Sequence, residues 1–251
     1  MDSFIPWIGG KRLLRKAICE RFPDTKIEKY VEVFGGAARV LFYKERHAEL
    51  EVYNDMNGHL VNLFKCMKYH PQALRDELDN VPNSREIFKN FLNMHKNPAL
   101  TDIQRAAMYF YMIKRSFGGK VSNFGAKPRD ILKESFEPIK HRLRMVAIEN
   151  KPFEEIIKQY DRSNTLFYCD PPYYGTEKMY AHGNVDFDKD SHQKLASILQ
   201  GIEGKFILSY NNCEYVKELY EDFNIDEVSR QNSLPYKSEK GIYRELIIRN
   251  Y

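Results

Sequence analysis

The tetrapeptide Asp170-Pro171-Pro172-Tyr173 sets an acid, a stiff turn and an aromatic ring directly after an apolar run, Leu166-Phe167-Tyr168-Cys169. Two consecutive prolines fix φ and remove backbone donors, so the turn presents carbonyl oxygens. Acceptors of that kind beside an aromatic face suit a planar base that carries an exocyclic amine. Such an amine is a poor nucleophile, because its lone pair is delocalised into the ring. If Asp170 and the Pro171 carbonyl each accept one N–H bond, the nitrogen can pyramidalise and aim its lone pair at a sulfonium methyl. The carboxylate then also stabilises the positive charge growing on nitrogen. Tyr173 is placed to stack on a base rotated out of a duplex, where the amine is otherwise inaccessible. The bland alternative is a proline-rich turn with a buried tyrosine, and the rarity of the tetrapeptide weighs against it.

Three further segments carry chemistry of a binding kind. Gly9 and Gly10 let backbone approach a ligand closely, and Lys11 brings an ammonium to the start of an expected helix, where an anion would be held. Gly35 and Gly36 follow a β-rich run, but they do not supply the GxGxxG of a nicotinamide-binding turn. Asp55 closes a second strand about twenty residues beyond that loop, the position of an acid that accepts ribose hydroxyls. A helix cap is the other reading of Asp55.

The tetrapeptide, taken with a separate Phe-Gly motif, resembles the Dam-type (D12, alpha-group) N6-adenine DNA methyltransferases over essentially the whole chain. That family has a Trp-x-Gly-Gly-Lys segment near its N-terminus, and this chain has Trp7-Ile8-Gly9-Gly10-Lys11. Its cofactor loop, Glu-x-Phe-x-Gly-x-Gly, is similar to Glu32-Val33-Phe34-Gly35-Gly36-Ala37-Ala38, with Ala38 replacing one glycine and Gly35 added. The resemblance implies S-adenosylmethionine as methyl donor, held by Trp7, Gly9, Gly10, Lys11, Glu32, Phe34, Gly35, Gly36, Asp55 and Asp170. Phe153 stands where such enzymes have an aromatic against the cofactor adenine; a core phenylalanine is the other reading.

The elements needed to position these residues are those of an α/β protein. Strands are expected at Lys29–Phe34, Leu50–Tyr53, Val146–Glu149, Thr165–Cys169, Lys205–Tyr210, Asp226–Gln231 and Ile242–Asn250, the last two paired as a hairpin. Helices are expected over Lys11–Phe22, Ala37–Arg46, Gly58–Tyr69, Thr101–Phe117, Ser191–Gln200 and Glu214–Asp222. The reading is a Rossmann-like methyltransferase sheet with a C-terminal β-hairpin. Residues 1–70 and 146–251 form the catalytic domain, and residues 71–145 a helical insertion. In the alpha arrangement that the resemblance implies, this insertion reads the DNA target.

Charge agrees with that placement. Between Lys114 and Arg144 nine Lys or Arg stand against three acids, so this segment carries +6 in a chain whose net charge is +4. Arg115, Lys120, Lys127 and Arg129 are candidates for phosphates, and Asn123 for a base edge. The segments 174–188 and 232–241, polar and glycine-containing, are candidate loops near the target base. Four scattered cysteines without a CxxC pair suggest neither disulfides nor zinc, and no metal is expected. No apolar run reaches the length of a membrane span, and a cytoplasmic, monomeric enzyme acting on double-stranded DNA is expected. Three other readings remain open: RNA adenine or N4 of cytosine as acceptor, a catalytically silent DNA-binding relative, and, more distantly, a nicotinamide-dependent oxidoreductase.

Overall fold

A computed structural model describes residues 1–126, 130–177, 187–231 and 242–251. Among these, the strands are β1 (Lys29–Glu32), β2 (Leu50–Asn54), β3 (Val146–Glu149), β4 (Thr165–Cys169), β5 (Lys205–Asn211), β6 (Asn224–Gln231) and β7 (Ile242–Arg249). They form one sheet in the order β3-β2-β1-β4-β5-β7-β6. The first five run parallel, β7 runs antiparallel to β5, and β6 pairs antiparallel with β7. The strand order reverses between β1 and β4. A crevice outside the carboxyl ends of strands forms at such a point, and both the Gly35-Gly36 loop and Asp170 emerge there.

The helices are α1 (Arg15–Cys19), α2 (Gly58–Tyr69), α3 (Pro71–Asp79), α4 (Arg85–Met94), α5 (Asp102–Arg115), α6 (Glu137–Leu143), α7 (Phe153–Tyr160), α8 (Lys189–Gln200) and α9 (Glu214–Leu219). Alternation along the strands divides the interior into two layers. Tyr30, Tyr53, Leu166, Tyr168 and Ile207 face α2, α5 and the other helices of residues 71–145. Val31, Val52, Phe167, Cys169 and Leu208 face α7, α8 and α9. Each layer buries one apolar face of the sheet, which is the main stabilising term of such a fold.

Residues 71–145 do form helices, but they build no core of their own. Leu74, Phe88, Phe110 and Leu143 belong to the same continuous cluster as Phe64 of α2 and Tyr53 of β2. A buried ion pair locks α6 to the sheet. Arg142 of α6 donates to both oxygens of Glu51 on β2 at 2.7 and 2.8 Å, and also to the carbonyls of Lys44 and Leu41.

Local chemistry explains where elements begin. The Thr101 hydroxyl accepts from Gln104 N–H while the Gln104 side chain accepts from Thr101 N–H, a reciprocal cap that starts α5 as expected. Asn57 caps α2 by accepting from His59 and Leu60 N–H. The cap reading of Asp55 is therefore not met.

Two expected helices are much reduced. Lys11–Phe22 is helical only over Arg15–Cys19, because Lys11 turns its side chain back to Gly9 O and to Asp170, and Leu13 is left exposed. Ala37–Arg46 contains a single 3-10 turn at Leu41–Tyr43. Gly36 and Ala38 take left-handed conformations that interrupt a right-handed helix, and buried carboxylates satisfy the stranded amides: Glu32 accepts from Leu41 N–H and Glu51 from His47 N–H. The helix α7 was not expected from the sequence. The four cysteines are unpaired, and no helix among the described residues is long and apolar enough to cross a membrane.

Candidate active site

The crevice at the carboxyl ends of β1, β2 and β4 is a cleft of about 280 Å³. Trp7, Gly9, Gly10, Lys11, Glu32, Phe34, Gly35, Gly36, Asp55, Phe153 and Asp170 all line it, and so do Pro171 and Pro172. Segments far apart in the sequence thus meet at one place. Tyr173 does not line the cleft; it stands behind the turn, half-buried.

Asp170 is the junction. Lys11 Nζ lies 2.7 and 2.8 Å from its two carboxylate oxygens and 2.8 Å from Gly9 O. Ser209 Oγ on β5 donates to Asp170 Oδ1 at 2.9 Å and is itself within 3.0 Å of Tyr168 OH. Burial pushes the Asp170 carboxyl up, against the pull of the Lys11 ammonium and the Ser209 hydroxyl. An ammonium has three N–H donors, and the two Asp170 oxygens and Gly9 O account for them while the charge still faces the cleft. Tyr173 is fixed at its polar end: its hydroxyl donates to Glu245 of β7 at 2.5 Å. Its ring stacks against Tyr210 at 5.8 Å, with Lys11 Nζ 4.6 Å from its centroid.

The glycine loop is shaped by contacts that exclude side chains. A Cβ on Gly35 would lie 2.2 Å from the Tyr53 ring and 2.9 Å from Asn54 O, and Gly35 N–H donates to that same oxygen at 2.7 Å. Gly36 has φ +49, lies under the Trp7 indole, and donates its N–H to Asp55 Oδ2 at 2.8 Å. Asp55 Oδ1 accepts from Asn57 N–H at 2.7 Å. Asp55 therefore ties the loop to the end of β2 while lining the cleft, with lone pairs left for ligand hydroxyls. Ala38, at the position of the missing family glycine, has φ +53 and is fully buried. The turn is retained in spite of the side chain, with Ala38 N–H donating to Gly35 O at 2.7 Å.

At one end of the cleft Phe34, Phe153 and Phe187 form a ring cluster with centroids 5.7–5.8 Å apart. Phe153 is buried among these aromatics and also lines the cleft. Phe187 was missed, since nothing in the polar, glycine-containing segment 174–188 singles it out from Tyr174 and Tyr180 as a wall. Ser209, Glu245 and Tyr168 were missed for a related reason: each reads as an ordinary strand residue.

Glu32 lies in the cleft wall at 1% exposure, and its Oε2 has no hydrogen-bond partner. Burial pushes its carboxyl up to about 8, opposed by Leu41 N–H and the Arg142 guanidinium and assisted by Asp170. An orphaned carboxylate oxygen, a glycine cradle and an aromatic wall together fit a ligand with a cationic group, a close-packed backbone contact and a planar base. S-adenosylmethionine has those parts.

The expected DNA residues divide. Lys120 and Asn123 are exposed on a loop that docks beside the cleft, where a Cβ on Gly119 would lie 2.5 Å from Pro6 O. Arg115 is buried at 8% exposure beside the Tyr111 ring, and its backbone carbonyl accepts from Gly125 N–H, so it is not a surface cation. Arg142 is taken by Glu51, and Lys114 is half-buried over Phe110. The exposed basic patch is accordingly smaller than the sequence suggests. Lys127 and Arg129 lie outside the described residues, as do 178–186 and 232–241 of the two candidate loops.

A Rossmann-like sheet that brings an acid-proline-proline-aromatic turn to a glycine-lined cleft defines, as a class, a methyltransferase acting on an exocyclic amine. The chain belongs more particularly to the D12 class of N6 adenine-specific DNA methyltransferases, whose family model matches residues 7–234. It is similar to Type II methyltransferase M.MjaIII of Methanocaldococcus jannaschii, with 28% identity covering 100% of this chain and 99% of the relative. Type II methyltransferase M1.LlaDCHI of Lactococcus lactis is 27% identical over 100% of this chain and 96% of its own length. A DNA adenine methylase of Haemophilus influenzae is 22% identical over 97% of this chain and 92% of its own length.

Proposed function

We propose that the cleft holds S-adenosylmethionine and that Asp170, with the Pro171 carbonyl, holds the N6 amine of an adenine rotated out of duplex DNA. The observation that carries this reading is the convergence of Lys11, Glu32, Asp55 and Asp170 on one cleft. Glu32 Oε2 would hold the ammonium of the amino-acid end, and the positive charge of Lys11 would attract its carboxylate. Asp55 would accept from the ribose hydroxyls, and Phe34, Phe153 and Phe187 would enclose the adenine. When bound, this group supplies an electrophilic methyl.

The chain's own residues do the rest. Asp170 and Pro171 O each accept one N–H of the amine, which draws the nitrogen out of conjugation with the ring. The Asp170 carboxylate, pre-placed by Lys11 and Ser209, stabilises positive charge developing on N6 without reorganising. No base acts before attack; the N–H proton would pass to the Asp170 carboxylate that accepts it, and from there to solvent, only after the methyl is on nitrogen. Tyr173 supplies its ring rather than its hydroxyl, since Glu245 holds the latter, and the target adenine stacks on that ring. Residues 71–145 would carry the DNA-reading surface through Lys120 and Asn123, with Lys127 and Arg129 as further phosphate contacts, and Arg115 would shape it from beneath.

The test is Asp170→Ala. Transfer of labelled methyl to DNA should fall by at least about 100-fold, the scale of losing one pre-organised electrostatic partner, while DNA affinity is largely spared. Near-normal turnover would refute the assignment.

A further inference from the structure

His192, in the first turn of α8, is completely buried and lies between the two halves of the site. Its Nδ1 hydrogen-bonds the hydroxyl of Tyr210 on β5, and its Nε2 is 3.2 Å from Glu177 Oε1. Burial pushes the His192 imidazolium down and the Tyr210 phenol up, and hydrogen bonds hold the Glu177 carboxyl below its ordinary range. Because a carboxylate only accepts, a neutral ring between these partners takes one tautomer. Tyr210 donates to Nδ1, and neutral His192 donates its Nε2–H to the Glu177 carboxylate.

Each partner leads to one part of the site. Tyr210 stacks on Tyr173. Glu177 Oε1 accepts from Gly175 N–H at 2.7 Å, in the turn where Thr176 N–H returns to Tyr173 O at 3.0 Å. Tyr174 meets the imidazole edge-on at 5.5 Å. On the other side Phe187 meets it edge-on at 4.7 Å, and Phe187 is part of the aromatic wall of the cleft. The turn after the catalytic tetrapeptide and the wall of the cofactor cleft are therefore referenced to one ring.

We propose that His192 is a positioning residue that couples the two substrates: its neutral ring holds the Tyr173–Glu177 turn and Phe187 in register, so that filling the cofactor cleft raises affinity for the target base. Coupling of this kind is reciprocal, and DNA must raise affinity for the cofactor by the same factor. The inference rests on the proposed placement of S-adenosylmethionine against Phe187.

The test measures the dissociation constant of S-adenosylhomocysteine with and without saturating duplex that carries the chain's own mapped methylation site, in wild type, His192→Leu, His192→Gln and Tyr210→Phe. In wild type DNA should tighten binding by about fivefold or more, the lower end of ordinary coupling. His192→Leu should reduce that factor to near one. His192→Gln, which retains an N–H for Glu177, should recover part of it. Tyr210→Phe, which keeps the ring and removes only the donor, should lower the factor even if His192→Leu does not fold. Wild-type coupling in Tyr210→Phe together with wild-type coupling in any folded His192 variant would overturn the proposal. If wild type binds S-adenosylhomocysteine but shows no coupling to DNA, the proposal also fails while the cofactor site stands. No binding in wild type would overturn the cofactor site and the coupling with it.

Discussion

Lys11 and Asp170 are 159 positions apart and meet as a mostly buried ion pair, with Nζ 2.7 and 2.8 Å from the carboxylate oxygens. The contact joins the Trp-x-Gly-Gly-Lys segment to the catalytic turn, so that the residue offered to the cofactor also orients the acid offered to the base. Removing Lys11 leaves the mostly buried Asp170 with the Ser209 hydroxyl, a loss bounded by the about 3–5 kcal/mol of breaking a fully buried pair. Lys11→Met should therefore lower both the unfolding midpoint in urea and the rate of methyl transfer. Conservative Lys11→Arg should recover stability better than rate, because a planar guanidinium cannot reproduce the point contact with Gly9 O. Equal recovery of both would show that the pair is only structural.

Gly35 and Gly118 form a contrasting pair. Gly35→Ala places a methyl 2.2 Å from the Tyr53 ring, whereas Gly118→Ala meets nothing within 4 Å and strains only a backbone with φ +64. Overpacking of the first kind costs about 1–3 kcal/mol and shifts the loop. Cofactor affinity in Gly35→Ala should fall by at least about tenfold, which corresponds to 1.4 kcal/mol. Gly118→Ala should lose only about 1–2 kcal/mol of stability and bind cofactor normally. Calorimetric titration of both variants decides the point.

Glu32 links the cleft to pH. Its carboxyl is pushed up to about 8 from 4.5 by burial, so the folded chain holds a proton that the unfolded chain releases. The stability this provides is fully present below the unfolded value and is lost as pH rises toward about 8, with a slope of at most about 1.4 kcal/mol per pH unit. Urea midpoints of wild type should thus decline relative to those of Glu32→Gln between pH 5 and 8.5. Parallel curves for the two proteins would show that Glu32 does not titrate there.

Much of the fold is legible along the chain: β1, β2 and β4 are β-rich runs followed by Gly-Gly, Asn-Asp and Asp-Pro, and all seven strands are found close to their expected bounds. The helices α2 and α5 are legible through periodicity and, for α5, a Thr101 cap. What misleads is the backbone that serves the site. Residues 11–14 and 37–46 have helical composition, yet Lys11 must reach Asp170, and Glu32 and Glu51 take the amides that a helix would have used. Cofactor residues are legible as motifs because they cluster in sequence. Ser209, Glu245, His192 and Phe187 act through long-range contacts, and no local pattern marks them.

The DNA surface can be mapped by salt. Each phosphate contact contributes about −0.9 to the slope of log K against log salt. Lys120→Gln should reduce the slope by about that amount without changing stability. Arg115→Gln should instead destabilise the fold, since its guanidinium is buried. A reduced slope with unchanged stability in Arg115→Gln would place that side chain on DNA.

The most direct measurement is the identity of the methylated atom. Duplex DNA and RNA are incubated with the chain and S-adenosylmethionine carrying a labelled methyl, digested to nucleosides and analysed by mass. Label should appear only as N6-methyladenine, only in DNA, and be lost in Asp170→Ala. Label on N4 of cytosine, label in RNA, or N6-methyladenine that persists in Asp170→Ala would contradict the assignment of Asp170 to the adenine amine.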